Sequence, residues 1–122
     1  MLPFSITLRA GRPLQDQIIF AVTKAVITGQ LRSGDRFPSV RTLSQELNIN
    51  PNTAMKVVAT LVDQGLLETH PGVGTTVAAW RPVAGAARRA ALAEHVERLV
   101  IDAKRLGLDL PDVLDAVRKE WK

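Results

Sequence analysis

Residues 38–65 hold two places where a helix is told to begin and one where it is told to end. Pro38-Ser39 puts a hydroxyl oxygen where it can accept from the backbone N–H groups that a first helical turn leaves unpaired. Val40, Leu43 and Leu47 then fall on one helical face. Asn48-Ile49 breaks that pattern and Asn50-Pro51 restarts it. Asn50 is suited to the N-cap, and Pro51 to the first helical position, where its missing N–H costs nothing. Ala54, Val57, Val58, Leu61 and Val62 continue at spacings of three and four, an apolar stripe, until Gly65 supplies a left-handed cap. Two short helices joined by so brief a turn describe a helix-turn-helix.

The other face of the second helix carries Asn52, Thr53 and Lys56 near its start, away from the stripe. In helix-turn-helix proteins that end of the second helix enters the major groove of DNA. Amide, hydroxyl and ammonium groups there bond base edges or phosphates, and the helix dipole favours an anion. The plain alternative is a solvated face on a structural helix pair. The flanking chain bears on that choice.

Phe4 to Leu8 alternate apolar with polar, the period of a half-buried strand. Pro13 opens a helix over 13–28, with Leu14, Ile18, Val22, Ala25 and Val26 at helical spacing. Leu31–Phe37 follows with Ser33-Gly34-Asp35 as a turn. Behind Gly65, Leu66–His70 and Thr75–Ala78 read as two short strands around Pro71-Gly72-Val73-Gly74, a hairpin. Three helices followed by a hairpin make a winged helix-turn-helix over 1–80, and the glycines let the wing tip approach DNA closely. Gly72-Val73-Gly74-Thr75-Thr76 has no following lysine and no strand-to-helix setting, so it does not read as a phosphate loop.

Residues 81–85 read as a linker, and 86–122 as two amphipathic helices. Leu92, Val96, Leu99, Val100, Ala103 and Leu106 form one stripe, ending at Gly107; Leu110, Val113, Leu114, Val117 and Trp121 form the expected buried side of the other. Helices of this size have little core of their own and must cover their stripes on the winged part or on a second copy. With the stripes committed to packing, a small-molecule pocket inside one tail is not expected. The fold class is therefore mainly α with a small β-hairpin, a winged helix-turn-helix plus a short two-helix dimerisation tail.

These segments agree in order and spacing with one family. Pro13-Leu14-x-x-Gln17-Ile18-Ile19, Ile27–Asp35, Phe37–Leu43, Asn50–Thr53, Leu61–Leu67 and Gly72–Val77 together resemble the GntR family of bacterial transcription regulators, over roughly residues 3–78. The short tail and Asn-Pro-Asn-Thr are most similar to its YtrA-like subfamily. The resemblance implies a homodimeric repressor of an inverted-repeat operator, often encoded beside the ABC transporter genes it controls, and it implies no cofactor. It sets the family's DNA-contacting motif on Pro38, Ser39 and Arg41, its recognition-helix contacts on Asn52, Thr53 and Lys56, and its wing tip on Gly72 and Gly74. Asn50, at the head of the recognition helix, is counted with them. Dimerisation is expected through Leu92, Val96, Leu99, Val100, Leu114, Val117 and Trp121. This chain departs from the family where Pro51 and Met55 replace commonly basic residues, and where Pro71 and Val73 stand in the wing.

The composition sets outer limits. With no cysteine among 122 residues, disulfides, thiolate metal sites and thiol nucleophiles are excluded. Sixteen basic against twelve acidic residues leave +4, a balance that suits a polyanionic partner. No apolar run approaches the roughly 18 residues of a membrane span, so a cytoplasmic protein without membrane contact is expected. His70 and His95 are far apart and lack clustered carboxylates, so no metal site is expected. No nucleophile–base pair or paired carboxylates suggests an enzyme. Arg41 could instead pair with a neighbouring acid such as Glu46, Lys56 could be merely solvated, and His70 reads as an exposed strand end. Sequence-specific DNA binding leads; the competing function is a winged-helix module that binds protein. No effector is indicated by the residues.

Overall fold

In a computed structural model, which describes residues 1–82 and 84–121, the chain folds into helices α1 (Leu14–Ile27), α2 (Val40–Leu47), α3 (Pro51–Asp63), α4 (Ala87–Arg105) and α5 (Leu110–Glu120). Strands β1 (Arg36–Phe37), β2 (Leu67–His70) and β3 (Gly74–Val77) complete it. Two compact units result, Met1–Arg81 and Pro82–Lys122. Val83, in the expected linker, and Lys122, at the end of the expected tail, lie outside the described residues.

The first unit is a winged helix-turn-helix, and its helix ends follow from side-chain chemistry. Ser39 caps α2 by accepting from the Thr42 N–H at 3.1 Å, and Asn50 caps α3 by accepting from the Asn52 N–H at 2.8 Å, with Pro51 in the first turn. The turn between them relies on Asn48, which adopts the left-handed region at φ 54. That conformation lets the Ile49 N–H reach back to the Ser44 carbonyl. Gly65, at φ 76, ends α3 the same way: its N–H bonds the Val62 carbonyl and that of Leu66 bonds the Leu61 carbonyl, both at 3.0 Å.

Packing then fixes which faces look outward. Ile18, Val22, Ala25 and Val26 of α1, Leu43 of α2, and Ala54, Val57 and Leu61 of α3 share one buried cluster with Leu67 and Val77 of the sheet. The sheet runs in the order β1-β3-β2, all antiparallel, with His70 opposite Gly74 at the wing end.

Two expectations for this unit change. Residues 4–8 form no strand; Phe4 is buried and Ile6 and Leu8 half-buried, with Ser5 and Thr7 exposed. Alternation reports one-sided burial, and here packing alone satisfies it, Phe4 stacking on Phe37 with ring centroids 5.9 Å apart. The backbone of Arg9 is bonded by the Gln17 side chain instead of a neighbouring strand. Conversely, the stretch read as leading out of a turn contains β1, which pairs Arg36 with Thr76 and Phe37 with Thr75.

In the second unit, Gly107 at φ 74 ends α4 and Asp109 opens α5 through a reciprocal capping box with Asp112. The Asp109 backbone N–H, and to a lesser degree its side chain, hold the Asp112 carboxyl below its ordinary value of 3.8. Of the apolar stripes only Ala103 is buried and Val113 half-buried; Leu110, Leu114, Val117 and Trp121, expected on a buried side, are exposed within the chain. Two single helices present too little facing surface to cover them. The tail also forms an open groove of about 370 Å³, lined by Leu99, Ala103, Leu106, Val113, Val117 and Trp121, where no pocket was expected.

The α3 terminus yields a direct test. A Cβ at Gly65 would meet no heavy atom within 4 Å, so neighbours do not oppose it, yet the left-handed backbone does. Gly65→Ala is expected to cost about 1–2 kcal/mol in urea unfolding, from conformation alone. A neutral result would show that residue 65 escapes the left-handed region.

Candidate nucleic-acid interface

Every residue proposed from the sequence to meet DNA lies in the first unit, on α2, α3 or the wing. Because Leu43, Ala54, Val57 and Leu61 are committed to the core, Arg41, Asn52 and Lys56 are turned outward and are exposed, with Thr53 half-exposed. Arg41 does not pair with Glu46, whose carboxylate instead lies 2.8 Å from the Met1 amino group. Neither Arg41 nor Lys56 forms an ion pair among the described residues.

Ser39 and Asn50 have a structural duty. The Ser39 hydroxyl accepts from the Thr42 N–H and donates to the Thr42 hydroxyl oxygen, and the Asn50 carbonyl oxygen serves as a cap. Both caps are neutral. This matters because the helix starts differ in what they put beside the dipole: α1 and α5 carry Asp16 and Asp112 in their first turns, whereas α2 and α3, like α4 of the second unit, carry no acid there. The positive ends of α2 and α3 are therefore left uncompensated by carboxylate, the condition that favours an incoming anion.

The wing is shaped by its turn. The Val73 N–H donates to the His70 carbonyl at 3.0 Å across Pro71-Gly72, with Gly72 at φ 73. Proline then glycine with positive φ is the chemistry of a type II turn. His70 Nε2 lies 2.9 Å from the Thr76 hydroxyl, which ties that ring to the neighbouring strand.

One residue was not singled out from the sequence. The β1–β3 pairing brings Arg36 beside Ser39, Gly74 and Thr75 around a cleft of about 300 Å³ between the wing and the start of α2. The alternation Asp35-Arg36-Phe37, with Phe37 buried, was the available signal. Gln17, within the Pro-Leu-x-x-Gln pattern, turns out to bind the backbone of Arg9 and Arg12, a structural role.

A three-helix core with a wing, open helix starts and outward cations on them defines a winged helix-turn-helix DNA-binding protein. Residues 14–77 match the bacterial regulatory proteins of the gntR family, and the chain belongs to that family. It is 31% identical over 114 residues to the HTH-type transcriptional repressor YtrA of Bacillus subtilis, covering 91% of this chain and 86% of that one. The structure is similar to that of a transcriptional antiterminator from Listeria monocytogenes EGD-e, with a TM-score of 0.83 at 22% identity over 98% of this chain and 90% of the other. It is also similar to the DNA-binding domain of AraR solved in complex with operator ORR3, with a TM-score of 0.51 at 28% identity, over 64% and 95% of the two chains. The protein is thus a DNA-binding transcription regulator, related to regulators and not to enzymes. No described helix is long and apolar enough to cross a membrane.

Site geometry separates two neighbouring residues by stability. Ser39→Ala should cost about 1 kcal/mol, because a cap is lost. Arg41→Ala should stay within about 0.5 kcal/mol, because its side chain is exposed and unpaired among the described residues. Thermal or urea melting of the two variants checks the contrast; equal losses would contradict it.

Proposed function

We propose that the protein is a repressor that binds an inverted-repeat operator as a homodimer in the cytoplasm. In this reading Asn52, Thr53 and Lys56 face base edges and nearby phosphates, Arg41 reads a base or grips the backbone, and Gly72 and Gly74 allow the wing to lie close to the duplex. Arg36 adds a phosphate contact between wing and α2. Ser39 and Asn50 contribute through their helix starts more than through their own side chains. The observation that carries the reading is the pair of acid-free helix N-termini with outward, unpaired Arg41 and Lys56 beside them. An apolar exposed face on α3 would instead have suited a protein-binding module.

Dimerisation is supported by the tail. Leu92, Val96, Leu99, Val100, Leu114, Val117 and Trp121 are exposed within one chain, Trp121 by 84%. Burying a Val or Leu contributes roughly 1.5–3 kcal/mol, so a matching surface stabilises the set strongly. A second copy supplies that surface, and two-fold pairing is the commonest closed symmetry. Two recognition helices related by such an axis read two half-sites whose centres lie about one helical turn, or a multiple of it, apart. The B. subtilis relative is named a repressor, which supports the direction of control; control of ABC transporter genes follows from the subfamily likeness.

Two outcomes are expected on an operator recovered by selecting bound fragments from the source genome. Arg41→Ala should weaken specific binding by about 1–3 kcal/mol in an anisotropy titration. Replacing Val96 and Leu99 together with Asp should give a monomer that keeps the winged fold and loses most operator affinity. A wild-type monomer at micromolar concentration in sedimentation, with one half-site bound as well as two, would sink the dimer reading.

A further inference from the structure

A second basic site lies away from α2, α3 and the wing tip. The segment before α1 runs along the outer face of that helix and forms with it a cleft of about 310 Å³, lined among others by Ile6, Arg9, Arg12, Gln17, Phe20 and Lys24. Gln17 holds the turn that carries the two arginines. Its side-chain oxygen accepts from the Arg9 N–H at 2.7 Å, and its amide nitrogen donates to the Arg9 and Arg12 carbonyls at 2.9 and 3.1 Å. The roots of both arginines are thereby fixed on one rim before any ligand arrives. Gln17 and Lys24 are seven residues apart on α1, so the cleft extends about 10 Å along the helix. Arg9 and Arg12 stand near one end, Lys24 near the other, and Phe20 between them.

Two features ask for a ligand. None of Arg9, Arg12 and Lys24 forms an ion pair among the described residues, and the nearest acid in sequence, Asp16, does not line the cleft. Phe20 is 68% exposed, a large apolar ring left in water beside cations. Guanidinium groups present paired donors that match the oxygens of a phosphate, and an exposed ring offers a stacking face to a base.

We propose that this cleft is a phosphate-binding site, with Arg9 and Arg12 as the phosphate clamp, Lys24 as a second cation and Phe20 as a platform for a planar ring attached to the phosphate. A free nucleotide offers both phosphate and ring. Duplex DNA flanking the operator offers phosphates alone, because its bases are stacked.

The test titrates the full chain with AMP, adenosine and inorganic phosphate at low salt, by calorimetry, and titrates operator DNA across a series of salt concentrations. For a nucleotide, AMP should bind more tightly than adenosine or phosphate. Arg12→Gln with Lys24→Gln should weaken AMP at least tenfold, each single variant giving part of the loss, and Phe20→Ala should weaken AMP while leaving phosphate unchanged. If AMP does not bind but the double variant lowers the slope of log affinity against log salt by about two charges, the phosphate belongs to flanking DNA: the cationic clamp stands with that source and Phe20 as a ring platform is overturned. Circular dichroism of the variants should match the unaltered chain, since the altered side chains are exposed. Adenosine binding as tightly as AMP, AMP binding indifferent to both substitutions, or no AMP binding together with an unchanged salt slope would each overturn the site.

Discussion

The structure depends on how α3 is held. Val57 and Leu61 are fully buried against Ile18 and Val22 of α1 and Leu43 of α2, and that contact decides the rotation of α3 about its own axis. A helix has one way to bury such a stripe, so the residues one to two positions out of phase with it are delivered to solvent. Asn52 and Lys56 are those residues. Their outward placement is a consequence of core packing and needs no separate device. A polar substitution at Val57 would therefore damage recognition twice, by leaving an unpaired group in the core and by releasing the rotation of the helix.

Electrostatics adds direction to that geometry. The net charge of +4 is small, and Pro51, Met55, Pro71 and Val73 place uncharged residues at the recognition helix and wing. The first turns of α2 and α3, like that of α4, carry no acid, against Asp16 and Asp112 at the starts of α1 and α5. In the proposed interface, backbone N–H groups and dipoles supplement Arg41 and Lys56. Neutral capping by Ser39 and Asn50 secures the helix starts without opposing an anion.

Much of this was legible in the sequence because the deciding signals are local. Asn50-Pro51, Pro38-Ser39 and Gly65 act within one turn of their own position, and α2 and α3 follow them closely. The GntR resemblance was carried by the same residues. What escaped depends on partners distant in the chain. Phe4–Leu8 has the alternation of a strand, but a strand needs a ladder partner and Gln17 takes the Arg9 backbone instead. β1 is two residues long and exists only because β3 lies beside it. The burial expected for Leu114, Val117 and Trp121 fails within one chain because periodicity states that a face is apolar, not what covers it. The cleft at Arg9, Arg12 and Lys24 unites residues fifteen positions apart, which no pattern of spacing marks.

The proposed DNA surface is made of the starts of α2 and α3 together with the wing. Amide chemical-shift mapping of the full chain on its selected operator tests it most directly. The largest perturbations are expected at Ser39–Arg41, Asn52–Lys56 and Gly72–Gly74, with the buried stripe of α3 little changed. Perturbations confined to surfaces outside α2, α3 and the wing, with these amides unmoved at saturation, would contradict it.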